Sequence, residues 1–491
     1  MMPAPTAIAP MPLLAPRRLD LPIAWRQGVP VSGARFLAHV AAQAEALPPA
    51  GPVVNLCTDR YRFAVVLAAA LLRGRTSLFP PNAMPDTLAR LAADHPTLVV
   101  ASDDAALAPD APVNGLPRLA LVALDEGREV GDLGDVGGGA AVGAHGQGIP
   151  LAASAVIPDV DGALAAARLL TSGSTGTPQP HDKQWRTLAL NVGASAAQLS
   201  ARLGLADLSS LAIVATVPAQ HMFGFESSVL LALLGGASFD AGRPFYPADI
   251  AEALARVPRP RALVTTPFHL KTLLLSGVAL PPVDLVLSAT APLSPQLAAQ
   301  AERATGGALV EIYGCTEAGQ VAMRRTAATE VWQTLGALRI HAEPADEPGG
   351  VDRYVVHGGH VEDPTPLADV LQLDDDRSFR LLGRANDLIN VAGKRTSLSH
   401  LNYHLNAVEG VEDGAFWLPR DVADGVVRPV AFVVAPRLAA PALLAALRTR
   451  LEPVFLPRRV VHVAALPREA TGKLTDKALH AFAQATLGDA P

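Results

Sequence analysis

The stretch that most restricts what this chain can become is Leu169-Leu170-Thr171-Ser172-Gly173-Ser174-Thr175-Gly176-Thr177-Pro178. Two apolar residues suited to the end of a strand run into small residues, each a glycine or a hydroxyl carrier. The glycines allow positive φ and a close approach of backbone to ligand. Hydroxyls and free N–H groups along such a loop can wrap a polyphosphate, the usual use of a glycine-rich turn after a strand. No Gly-Lys-Ser/Thr follows Gly176, so this is not a Walker A loop. Taken alone, the stretch is equally compatible with an ordinary surface turn.

Composition narrows the setting. A chain of 491 residues exceeds one compact core, so two or more domains are expected. Hydrophobic residues make up 50% and mean hydropathy is +0.26, values of a densely buried globular protein. A formal net charge of −6 argues against nucleic acid or an anionic membrane surface as partner. Cys57 and Cys315 are the only cysteines, which implies no disulfide framework and suits a reducing, cytoplasmic location. Met1 to Pro16 lacks a basic n-region and is broken by prolines, a poor signal peptide. The longest apolar run, Phe63 to Leu72, falls short of the roughly 18 residues of a membrane span.

Periodicity predicts an α/β chain. Helical spacing covers Gly33 to Leu47, Tyr61 to Leu72 and Thr87 to Ala93, alternating with strand-like Val53–Leu56, Thr76–Phe79 and Thr97–Val100. Such alternation implies βαβ units around a parallel sheet. Gly131 to Gly148 reads as a mobile surface loop. Beyond the glycine-rich stretch, a helix is expected over Thr187–Leu203, a strand over Leu211–Val217 and a buried helix over Phe225–Leu234. Further strands are expected at Ala262–Thr266, Leu285–Ser288, Arg353–His357 and Phe379–Leu382, with a helix over Ser294–Arg303. After Gly383 the pattern changes to a smaller α+β unit.

Three more motifs follow in order: Glu311-Ile312-Tyr313-Gly314-Cys315-Thr316-Glu317, Leu382-Gly383-Arg384-Ala385-Asn386-Asp387, and Leu466-Pro467-Arg468-Glu469-Ala470-Thr471-Gly472-Lys473. With the glycine-rich stretch, this order resembles the adenylate-forming superfamily of acyl- and aryl-CoA synthetases, adenylation domains and luciferases. The resemblance runs from about Leu169 to about Leu479. It implies a large N-terminal domain, 1–383, of βαβ-type subdomains, a small mobile α+β C-terminal domain, 387–491, and a hinge near 384–387. It also implies ATP and Mg²⁺, with coenzyme A or a phosphopantetheinyl carrier protein as thiol acceptor.

Roles follow residue by residue from the resemblance. Thr171, Ser172, Gly173, Ser174, Thr175 and Gly176 would hold the β- and γ-phosphates. Relatives commonly carry a lysine where this chain has Gln179, so Lys183 becomes the substitute candidate. Tyr313 would stack on adenine beside Gly314, Thr316 would hydrogen-bond the α-phosphate, and Glu317 would ligate magnesium. A flat ring suits a purine and a hard carboxylate oxygen suits a hard cation. Ser288, Ala289, Thr290, Ala291 and Pro292 match the segment flanking adenine and the acid pocket. Asp369 sits at the ribose-binding position without its usual Tyr-x-Thr-Gly context, with Asp374, Asp375 and Asp376 as rivals. Arg384 would contact ribose or phosphate, Asn386 would be the hinge, and Gly393 would line the thiol channel.

Lys473 is the expected adenylation lysine: a point charge between the attacking carboxylate and the α-phosphate favours the transition state. His221 and Phe223 resemble the wall of the acid pocket. Amino-acid-activating relatives place an Asp near here, and Glu226 is close enough to keep that alternative open. An aryl or short acyl acid is favoured. The continuation Thr177–His181 with Lys183 and Trp185 resembles ligases that load carrier proteins in aryl-polyene and xanthomonadin-type pigment pathways. The alternatives are a stand-alone amino-acid adenylation domain, a catalytically silent nucleotide-binding homologue and, more remotely, a luciferase-like oxidase.

Overall fold

A computed structural model describes residues 9–80, 82–104, 112–124, 156–171, 179–344, 352–384, 388–391, 394–419, 429–469 and 474–488. The chain divides into two compact units, one comprising Met1–Ala196, Asp207–Ile213 and Ala219–Arg243, the other Ala197–Ala206, Val214–Pro218 and Pro244–Pro491. The predicted loop 131–148 lies outside the described residues.

In the first unit a five-stranded sheet runs in the order Val99–Ala101, Val53–Asn55, Ser77–Phe79, Ala165–Thr171, Gln179–Gln184. All but the last pairing are parallel. Val53, Val54 and Asn55 are buried, as expected of a parallel strand covered on both faces. Helix Arg60–Leu72 starts where the Asp59 side chain accepts the Arg62 N–H. It is apolar nearly all round and correspondingly buried, with Phe63 packing on Phe79 and Phe225. A second group in this unit pairs Ala212↔Ser238 and Phe239↔Ala24 in parallel, with strand Val29–Ser32 antiparallel to Pro22–Arg26.

The expected strand–helix alternation therefore holds, with two departures. Strand Gln179–Gln184, with its proline and charges, carries no strand signal. It forms because it is an edge: Pro180 pairs with Leu170 at the rim, and Arg168 and Asp182 face each other as a bidentate ion pair at 2.6 and 2.9 Å. The helix expected over Phe225–Leu234 takes a π-turn at Phe225–Leu230 between short α segments Met222–Gly224 and Leu231–Leu233.

The second unit centres on parallel strands Arg261–Thr265, Leu285–Ser288 and Ala308–Cys315, extended antiparallel through Gly319–Arg324, Trp332–Thr334, Ser378–Arg384 and Asp369–Leu373. Helix Pro295–Thr305 is capped by Ser294 and ends at Gly306 with φ +82°, a left-handed stop that glycine adopts freely. Strands Arg339–Glu343, Arg353–Gly358 and Val361–Leu367 form a separate antiparallel sheet.

Within the same unit the C-terminal hundred or so residues carry cores of their own. Strand Val430–Val434 pairs antiparallel with Asp413–Trp417 and parallel with Arg459–His462. Phe416, Ala431 and Val433 face helices Leu398–Asn406 and Ala440–Arg448, while Ala415 and Phe432 face helix Asp476–Leu487. The alternation is the period-2 pattern of a strand buried on both sides.

Candidate active site

Thr171 ends its strand directly opposite Gln179, so residues 172–178 join the two arms of a hairpin. Ser172, Gly173, Ser174, Thr175 and Gly176 themselves lie outside the described residues. Lys183 pairs with Ala167 and is largely buried. It sits four residues along the strand from Gln179, about 13 Å at the usual rise.

Tyr313 lies in strand Ala308–Cys315 and is mostly buried, with its ring 5.6 Å from Trp332 and 5.5 Å from Phe379. Its hydroxyl donates to Asp369 Oδ2 at 2.8 Å. Asp369 is in turn the cross-strand partner of Arg384. Two residues expected to handle one nucleoside thus meet, although 56 positions separate them, and the backbone of the third, Arg384, lies opposite Asp369. The rivals are engaged in the turn that precedes strand Ser378–Arg384. Asp375 accepts the Arg377 and Ser378 N–H groups, Asp374 accepts from Arg380, and Asp376 pairs with Arg339.

Just past Tyr313 the ladder shifts register. A Cβ on Gly314 would lie 2.2 Å from the Gly319 carbonyl oxygen, so only glycine fits where the hairpin arms close. Thr316 and Glu317 occupy the turn, the first half-buried and the second exposed. No group of three or more His, Cys, Asp or Glu that could hold a metal occurs among the described residues. An exposed carboxylate fits an ion such as Mg²⁺, which keeps most of its shell from water and phosphate.

Ser288 ends strand Leu285–Ser288 with its hydroxyl fully buried, 0% exposed, and without a hydrogen-bond partner among the described residues. Ala289 is buried, while Thr290 is exposed at φ +79°, a left-handed conformation that a β-branched residue rarely adopts. Such strain, of order 1–3 kcal/mol, persists where surroundings enforce it and concentrates at functional sites. Ala291 and Pro292 complete the turn, and Glu311 supports it: its carboxylate accepts the Leu293 N–H, Thr326 Oγ1 and the Arg324 guanidinium. Burial raises the Glu311 pKa, with Arg324 and these donors opposing. Sequence reading assigned Glu311 no role. The available signal was a carboxylate inside the apolar run Leu309-Val310-Glu311-Ile312.

His221 is exposed and immediately precedes the short helix Met222–Gly224, in which Phe223 is half-buried. The neighbouring Glu226 is buried and accepts from Asn191 Nδ2 at 2.6 Å. Thr171 to Gly176, Lys183, His221, Phe223 and Glu226 belong to the first unit and the remaining candidates to the second.

Asn386, Gly393 and Lys473 lie outside the described residues, and of Arg384 only the backbone is described. Gly383, at φ +137°, passes so near Ser397 that a Cβ would lie 2.2 Å from its hydroxyl. Arg468, five residues before Lys473, forms a bidentate pair with Asp413 at 2.7 Å on each arm.

A family profile described as "AMP-binding enzyme" matches residues 63–345. The 4-coumarate–CoA ligase of Rhodobacter capsulatus is 32% identical over 310 residues, covering 62% of this chain and 74% of that protein. The 4-coumarate–CoA ligase of Halorhodospira halophila is 30% identical over 242 residues, 49% of this chain and 56% of that protein. Among solved structures, the anthranilate CoA ligase AuaEII in complex with anthranoyl-AMP has the same fold, with a TM-score of 0.74 at 16% identity over 97% of this chain and 99% of that one.

Proposed function

The chain belongs to the AMP-binding enzyme family, a family of acid–thiol ligases, and we propose that it is an adenylate-forming ligase for an aryl or short acyl acid. The acid's carboxylate oxygen attacks the α-phosphorus of ATP, and pyrophosphate leaves. The thiolate of coenzyme A, or of a carrier protein's phosphopantetheine, then attacks the acyl carbonyl and AMP leaves with the electron pair of the broken bond. The observation that carries this reading is the Tyr313–Asp369 hydrogen bond beside Arg384, which joins an aromatic ring for the base to a carboxylate for the ribose hydroxyls.

Tyr313 and Asp369 orient the nucleoside, and Thr316 donates to the α-phosphate. Thr171 to Gly176 hold the outer phosphates. Glu317 would hold a magnesium ion that supplies charge neutralisation on the phosphates. Lys473, carried by the C-terminal domain 387–491 turning about 384–387, places its ammonium where negative charge is shared in the transition state. Ser288, Ala289, His221 and Phe223 contact the acid, and Gly393 leaves room for the thiol. Glu226, buried and bonded to Asn191, is spoken for by its own fold, which weighs against an amino-acid substrate needing an ammonium partner there.

The test is AMP release across a panel of aromatic, short aliphatic and amino acids, 4-coumarate included, with coenzyme A or a carrier protein as acceptor. Acid-dependent AMP release with thioester formation is expected for aromatic or short acyl acids. Preference for amino acids would favour the adenylation-domain alternative, and ATP binding without acid-dependent AMP release would favour the silent homologue. Lys473→Ala should lower adenylation by about 10²-fold or more while a preformed acyl-adenylate still reacts with the thiol.

A further inference from the structure

The contacts between helix Pro267–Leu275 and the C-terminal region use residues to which the proposed chemistry gives no role. Within the C-terminal region itself, Arg468 Nε and Nη2 grip Asp413 Oδ2 and Oδ1, both at 2.7 Å, with the two side chains only 17% and 14% exposed. A planar fork on a carboxylate fixes orientation as well as distance. The Arg468 guanidinium carbon also stands 6.0 Å from the Phe268 ring centroid, the outer limit for a cation over a ring. Three residues along the helix, and so on the same face, Lys271 donates its ammonium to the carbonyl of Val411, two positions before Asp413. One helix face therefore meets both the start of strand Asp413–Trp417 and the segment Leu466–Arg468.

We propose that Asp413, Arg468 and Lys271 form a docking catch that holds the C-terminal region in the arrangement used for adenylation. This catch presupposes the proposed role of Lys473. Arg468 belongs to the same short segment as that lysine, so anchoring it to the Asp413 strand and to helix Pro267–Leu275 restricts where the lysine can reach. The catch is built to release as well as hold. Burial drives the Lys271 pKa down to about 8, with Asp413 and Glu412 favouring its charge and Arg468 opposing it, so much of what the hydrogen bond gains is offset by desolvation. Asp413, Arg468 and Lys271 are thus positioning residues, acting through the segment they hold.

Two variants of the full chain separate this from simple structural support: Asp413→Asn, which keeps shape and removes charge, and Lys271→Met, which keeps the stem and removes the ammonium. With 4-coumarate as acid and coenzyme A as thiol, pyrophosphate exchange should fall by about 5- to 100-fold in each. Thioester formation from preformed coumaroyl-adenylate should stay within about twofold. Exchanging the charges, Asp413→Arg with Arg468→Asp, should restore exchange relative to Asp413→Asn. If Asp413→Asn does not fold, Lys271→Met on the opposite element carries the test. Equal loss of both half-reactions, or loss of the thiol step alone, overturns the catch. Exchange that survives Lys473→Ala overturns the functional reading and the catch together. Exchange lost in Lys473→Ala but intact in Asp413→Asn and Lys271→Met overturns the catch alone.

Discussion

Tyr313 and Asp369 hold each other at 2.8 Å, and each is expected to touch a different part of one nucleoside. In Tyr313→Phe the ring and its packing on Trp332 and Phe379 survive while the hydroxyl is lost. Asp369 then loses one orienting donor, and the KM for ATP should rise by about 3- to 10-fold with little change in melting temperature, the worth of one hydrogen bond. Ser288 makes the opposite kind of case. Its buried hydroxyl lacks a partner among the described residues, which penalises the folded state, so Ser288→Ala should stabilise the free protein by about 1 kcal/mol in denaturant unfolding. If that hydroxyl serves the acid, the same variant raises the KM for the acid. A stable variant with unchanged KM would remove Ser288 from the pocket. Residue types of this sort were legible in the linear motifs. The hydrogen bond between Tyr313 and Asp369 was not, because no pattern of neighbours encodes a pairing across 56 positions.

At the scale of elements, hydrophobic period served well wherever a strand or helix is covered on both sides. Val53–Asn55, Arg60–Leu72, Leu285–Ser288 and helix Pro295–Thr305 form where apolar spacing and Ser or Asp caps place them. It failed at Gln179–Gln184, whose strand character comes from pairing with Ala165–Thr171 and not from its own side chains. It gave the buried helix at Phe225–Leu234 but not its π-turn at Phe225–Leu230, which buries Glu226 and Ser228 beside Asn191 and Arg60 and so depends on distant partners. The hairpin carrying Thr316 and Glu317 is the element on which the proposed chemistry depends most. Its closure requires Gly314, so Gly314→Ala should force the arms apart, lowering stability by about 1–3 kcal/mol and reducing adenylation more than nucleotide-independent properties such as secondary-structure content. Circular dichroism alongside pyrophosphate exchange would check this.

At the scale of the whole molecule, the C-terminal residues have their own two apolar clusters yet contact helix Pro267–Leu275 through polar groups. Apolar cores give the region its shape, and polar contacts join it to that helix. The buried Lys271 ammonium makes this contact pH-dependent in a definite direction. With a native pKa of about 8 against 10.5 for the unfolded chain, the unfolded state binds more protons between those values. The cost of burying the charge is therefore fully present below about pH 8 and fades as pH rises toward 10.5. Measured against Lys271→Met, which has no proton to lose, the wild-type melting temperature should climb across that window, and parallel curves would refute the assignment.

The order of four short motifs, the alternation of strands and helices, and the residue types suited to phosphate, purine, ribose and metal were all set by the amino-acid sequence alone. These depend on neighbours within a few positions, where steric and hydrophobic preferences act directly. Tertiary structure decided that Asp369 and not Asp374–Asp376 stands beside Tyr313, that Glu311 props the strained turn at Thr290, and that Lys271 meets Val411. Those choices come from strand register and helix placement, which juxtapose residues far apart in the chain and leave no trace in any local pattern.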